Sequence, residues 1–71
     1  MTERQREVLL TIARYIEKEG ISPTVREIGD IIGLSSSSTV HKHIKVLESE
    51  GYIKMKKDCP RSIRILKERL G

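Results

Sequence analysis

Three glycines divide this chain, and the residues ahead of each one restrict what it can fold into. Val8, Leu9, Ile12 and Ile16 recur ahead of Gly20, Ile28, Ile31 and Ile32 ahead of Gly33, and Val40, Ile44 and Leu47 ahead of Gly51. Apolar residues three and four apart share one face of an α-helix, and glycine readily takes the left-handed conformation that ends one. The spacing predicts three helices, the first of about five turns and the second of about two. A chain of 71 residues buries roughly 60% of the surface its unfolded form exposes, so all three stripes must meet in a single core. With no Trp or Phe and two Tyr, that core is aliphatic.

The helix starts are equally legible. Thr2 with Gln5, and Thr24 with Glu27, have the spacing of a capping box, in which hydroxyl and carboxamide or carboxylate each take a free backbone N–H. Pro23 biases Ser22 toward an extended conformation just before the second helix. The third start lies in "SSSSTV", residues 35 to 40. A serine run reads first as a flexible linker. Extending the Val40, Ile44, Leu47 stripe backward by one turn instead places the serines at a helix start, with Ser36 at the N-cap and Ser37, Ser38 and Thr39 in the first turn. Leu34 is then an apolar plug in the tight turn between the second and third helices.

In "YIKMKKDCPRSIRIL", Ile53 and Met55 alternate with Lys54 and Lys56, and Ile63 and Ile65 alternate with Ser62, Arg64 and Leu66, with Asp58 and Pro60 between the two runs. The pattern predicts a two-stranded hairpin with a basic tip. Such a hairpin is too small to stand alone, so its Ile and Met face is expected against the helices. The fold expected is mainly α with a small β-hairpin: one winged helix-turn-helix domain over residues 1–71, three helices and a two-stranded wing.

Charge and motif content narrow the function. The net charge is +4 and the pI about 9.5, with Lys54, Lys56, Lys57, Arg61, Arg64 and Lys67 set against Asp58. That asymmetry suits a polyanionic partner. No run approaches the roughly 18 apolar residues of a membrane span, and the basic N-terminus leads into no signal-peptide hydrophobic region. The one cysteine, Cys59, makes no internal disulfide, which agrees with a reducing compartment; a soluble cytoplasmic protein is expected. There is no Gly-rich phosphate loop, no paired carboxylates and no nucleophile with a base at recognisable spacing. An enzyme, a small-molecule substrate and a cofactor are not expected. His41 and His43 lie on nearly opposite sides of a helix and make a poor metal pair.

If Val40, Ile44 and Leu47 face inward, Ser38, Lys42 and Lys45 point outward, with Thr39 and His41 on the shoulders. None of these is acidic. Short hydroxyls at a helix start allow close approach to DNA, the helix N-terminus attracts phosphate, and His41 and Lys42 reach far enough to donate to guanine acceptors. Lys54, Lys56, Lys57, Arg61 and Arg64 would supply phosphate or minor-groove contacts carrying little sequence information.

The segment "SPTVREIGDIIGLSSSSTVHKHIKVLESEGYI", with "PRSIRIL" and the opening "TERQREVLLTIARYI", resembles the N-terminal DNA-binding domain of the LexA repressors of the bacterial SOS response. The serine-rich third helix is similar to the Gram-positive-type branch. The resemblance implies a repressor of DNA-damage genes that binds a palindromic operator of GAAC/GTTC type as a dimer. It places base reading on Ser36, Ser38, Thr39, His41 and Lys42, and the wing on residues 57 to 61, with Lys57 and Arg61 as its cations; Lys45 joins them from its outward position on the helix. The family's common Gly between the wing Arg and the last strand is here Ser62. It further implies that a complete member continues into a self-cleaving domain carrying the main dimer interface. These 71 residues are then a fragment, expected to be monomeric alone and dimeric on DNA.

A different class of function uses the same fold, since fold does not fix function. A winged-helix protein-interaction module would dock an acidic partner without specific DNA readout. Apolar anchors exposed away from the third helix would distinguish it.

Overall fold

A computed structural model describes residues 2–66 of the chain. The order of elements is α1 (Glu3–Glu19), α2 (Val25–Ile32), α3 (Ser37–Ser49), β1 (Ile53–Lys54) and β2 (Arg64–Ile65). The two strands pair antiparallel, with Ile53 opposite Ile65 and Lys54 opposite Arg64. This is the winged helix-turn-helix arrangement. No helix among the described residues is long and apolar enough to cross a membrane.

Both capping boxes form. Thr2 Oγ1 accepts from Gln5 N–H at 3.2 Å while Gln5 Oε1 accepts from Thr2 N–H at 3.1 Å, and Thr24 with Glu27 repeats the exchange at 3.1 and 2.9 Å. Gly20 and Gly33 end α1 and α2 at φ of 75° and 81°. These are left-handed values that glycine adopts without a Cβ penalty. The stripes converge as expected: Val8, Leu9 and Ile12 of α1, Ile28 of α2, Val40, Ile44 and Leu47 of α3, and Ile53 and Ile63 of the wing form one buried aliphatic cluster. Ile16, Ile32, Leu34, Met55 and Ile65 pack around it.

Three expectations need correction. Ile31 is 57% exposed, because α2 is only 8 residues long and its partners α1 and α3 cover the side that carries Ile28. The strands are shorter than the alternation suggests: Ile63 is buried without belonging to the ladder, and Leu66 follows β2, its N–H donating to Tyr52 O at 2.9 Å. Finally, Ser36 occupies the N-cap of α3 but makes no side-chain capping bond. Lys67 lies outside the described residues.

Candidate nucleic-acid interface

The position of α3 is set by the turn ahead of it. Leu34 N–H donates to Gly29 O at 2.8 Å, folding the chain sharply back. A Cβ on Gly29 would lie 3.1 Å from Leu34 O and 3.2 Å from Val40 Cγ2, closer than side chains ordinarily tolerate. Glycine here serves close approach rather than backbone freedom: α2 is in contact with the turn and the first turn of α3. That approach seats Val40, Ile44 and Leu47 in the core and turns the opposite face of α3 outward.

Ser36, Ser38, Thr39, His41, Lys42 and Lys45 are all exposed. No acidic residue interrupts the helix until Glu48. In contrast to α1 and α2, whose first turns are closed by side chains, α3 has no side-chain cap. Its hydroxyls and first-turn N–H groups are therefore not committed to one another, and an anion at a helix N-terminus is favoured by both dipole and free donors.

The wing is held to α3 by its outgoing arm. Tyr52 N–H donates to Leu47 O at 3.0 Å, and Met55 N–H to Glu48 Oε2 at 3.3 Å. These bonds bring Lys56 and Lys57 to the same cleft as His41 and Lys45, which Glu48 and Asp58 also line. At the tip Asp58 adopts φ of 63°, a left-handed value that aspartate accepts more readily than most residues. Ser62 closes the loop: its Oγ accepts from Lys56 N–H at 2.9 Å and lies 2.7 Å from Cys59 O, to which it donates.

Arg61 is placed differently from Lys57. Its guanidinium turns to the first turn of α2, where Nη1 and Nη2 each donate to one oxygen of Glu27 at 3.0 Å, and Nη1 also donates to Ser22 O at 3.0 Å. The fork on Glu27, more than its bond from Thr24 N–H, holds that carboxyl at about 2, well below its ordinary 4.5. Glu27, with Tyr15 after it, raises the Arg61 guanidinium above its usual value. Two residues on, Ile63 N–H donates to Ser22 Oγ at 3.0 Å, so the returning arm is tied to the α1–α2 linker twice.

The six predicted residues on and before α3 are thus all exposed, and His41 and Lys45 share a cleft with Lys57, while Arg61 is engaged elsewhere. Sequence reading missed Glu27, Ser22 and Glu48 as anchors of the wing. Glu27 is legible only as a capping residue, because its second partner lies 34 positions away.

The family model for the LexA DNA binding domain matches residues 1–62. The chain belongs to the LexA DNA-binding domain family. It is 48% identical over 66 residues to the LexA repressor of Desulfitobacterium hafniense, covering 93% of this chain and 32% of that protein. It is 46% identical over 70 residues to the LexA repressor of Staphylococcus epidermidis, covering 99% and 34%. The corresponding values for the LexA repressor of Bacillus thuringiensis are 47% over 68 residues, 96% and 33%. The chain spans about a third of the length of these curated relatives. Within the LexA domain, the part matched includes α1, α2, α3, β1 and the loop up to Ser62.

Proposed function

We propose that this chain is the operator-reading part of a transcriptional repressor of DNA-damage (SOS) genes, binding double-stranded DNA with α3 in the major groove and the wing on the backbone or minor groove. The observation that carries this reading is the face of α3 from Ser36 to Lys45: exposed, free of acidic residues, and starting with hydroxyls that cap nothing. Ser36, Ser38, Thr39, His41 and Lys42 are the base-reading candidates, and Lys45 and Lys57 neutralise phosphate. Membership of the LexA family supports the same reading, as do the names of its relatives. As a chromosome-binding protein it acts in the bacterial cytoplasm.

The apolar side chains exposed away from α3 do not favour protein docking. Leu10, Ile21 and Ile31 lie on α1, in the α1–α2 linker and on α2, and Ile21 and Ile31 border different grooves. Single exposed apolar residues are normal on soluble surfaces.

On a palindrome two copies would bind about the two-fold axis of the site, whereas the 71 residues alone would sediment as a monomer. One module makes few phosphate contacts, so its affinity should sit toward the roughly 10⁻⁴ to 10⁻⁶ M of non-specific binding. The test is fluorescence anisotropy on a labelled duplex carrying a GAAC/GTTC-type palindrome and on a scrambled duplex, across several salt concentrations. Preference for the palindrome that survives rising salt is the expected result; equal and steeply salt-dependent binding to both would overturn base readout. Lys42→Ala or His41→Ala should lower the discrimination by about 1 to 3 kcal/mol if the residue contacts a base.

A further inference from the structure

Arg61 is on the most basic segment of the chain, yet its guanidinium faces the helices. Nη1 and Nη2 form a two-pronged contact with both oxygens of Glu27, and Nη1 additionally reaches Ser22 O. A planar fork of this kind fixes direction as well as distance, which a lysine does not do. The Ile63 N–H bond to Ser22 Oγ repeats the attachment two residues later. On the other arm, Met55 N–H is held by Glu48 of α3. The wing is therefore gripped from both sides, by α3 on its outgoing arm and by α2 with its preceding linker on its return.

We infer that Arg61 is a positioning residue that sets the wing against the recognition helix, and that Glu27 withholds its charge from DNA phosphate. The inference rests on the DNA-reading function proposed above and divides the wing cations into two kinds. Lys57 is a contact residue. Arg61, by keeping Lys56 and Lys57 at a fixed place beside His41 and Lys45, contributes to discrimination between sequences without itself neutralising a phosphate. Releasing it should add a non-specific contact and loosen the geometry together, so affinity for any duplex gains while selectivity falls.

The experiment measures anisotropy for the wild type, Arg61→Ala, Arg61→Lys and Glu27→Gln on the palindromic and scrambled duplexes over a salt series. Each phosphate contact contributes about 0.9 to the slope of log affinity against log salt. Arg61→Ala is expected to keep the wild-type slope and to lose discrimination. Arg61→Lys should lose discrimination as Arg61→Ala does, because lysine keeps the charge but cannot make the fork. Glu27→Gln preserves the capping box, since glutamine serves at that position, and should steepen the slope by about 0.9 on both duplexes. The inference is overturned if Arg61→Ala flattens the slope by about 0.9 with discrimination kept, or if Arg61→Lys matches the wild type.

The slopes are read on either duplex, so they decide whether Arg61 contacts phosphate even if the wild type shows no preference for the palindrome, a result that would sink the functional reading alone. A spectroscopic check needs no variant. Slowly rotating Arg61 Nη resonances in the free domain should persist on DNA; their loss on DNA binding would show that the pair opens toward phosphate and would overturn the inference.

Discussion

Glu27 carries two loads through the same carboxylate: Oε1 accepts the Thr24 N–H that starts α2, and both oxygens receive Arg61. Its folded pKa of about 2 lies below the 4.5 it has without partners. A depressed carboxylate contributes stability that is complete above the unfolded value and is lost as pH falls toward the folded one. Acid titration of the wild type should therefore show a loss of stability between about pH 4.5 and about pH 2 that is reduced in Glu27→Gln; unfolding curves measured at each pH check this. Gly29 gives a second prediction at this scale. Alanine there would gain about 0.5 to 1 kcal/mol of helix propensity. It would also press a methyl group on the Leu34 carbonyl and on the fully buried Val40. Overpacking costs about 1 to 3 kcal/mol, so Gly29→Ala should lower the melting temperature despite being the better helix former.

The three helices begin alike in sequence, each behind a hydroxyl residue, but only two are capped by it. Thr24→Ala should cost about 1 kcal/mol, as losses of working caps do. Ser36→Ala should cost appreciably less, because the Ser36 hydroxyl makes no capping bond, while weakening DNA binding if that hydroxyl contacts DNA. Chemical denaturation and anisotropy on the same two variants separate stability from binding. On the DNA-reading function proposed above, the open start of the third helix leaves its donors to phosphate. The wing shows the opposite economy. It has two residues in each strand and owes its shape to Ser62 and to bonds with α3 and the α1–α2 linker.

For the molecule as a whole, one aliphatic cluster serves helices and wing alike. Ile12, Ile28, Val40, Leu47 and Ile53 are all within 1% of complete burial, and they come from α1, α2, α3 and β1. Truncating such a residue costs about 2 to 5 kcal/mol out of a total stability of about 5 to 15 kcal/mol. Ile12→Ala or Leu47→Ala should therefore destabilise the entire domain, shifting the far-UV and wing-specific signals together in denaturant. Separate transitions for helices and hairpin would contradict a single shared core. The charged surface follows from the same arrangement. With the apolar faces turned inward, the basic residues of α3 and of the wing tip border a common cleft.

By itself the sequence determined the number, order and limits of the helices, the inward and outward faces of α3, and the presence of a wing. Each of these depends on residues close together in the chain: a capping box spans three positions, a helical stripe repeats every three or four, and a glycine stop acts at one. The same locality placed Ser38, Lys42 and Lys45 opposite Val40, Ile44 and Leu47 with Thr39 and His41 on the shoulders, whereas Ser36 joined the candidates only through the resemblance to LexA. Only the tertiary structure decided which polar groups are already spent. Nothing near Arg61 announces Glu27 as its partner, and nothing near Ser36 shows that its hydroxyl stays uncommitted. Whether Ile31 is covered likewise depends on which side of a short helix its neighbours occupy. Ion pairs and packing between distant segments are formed by folding the chain back on itself, and sequence distance carries no record of which carboxylate an arginine will then meet.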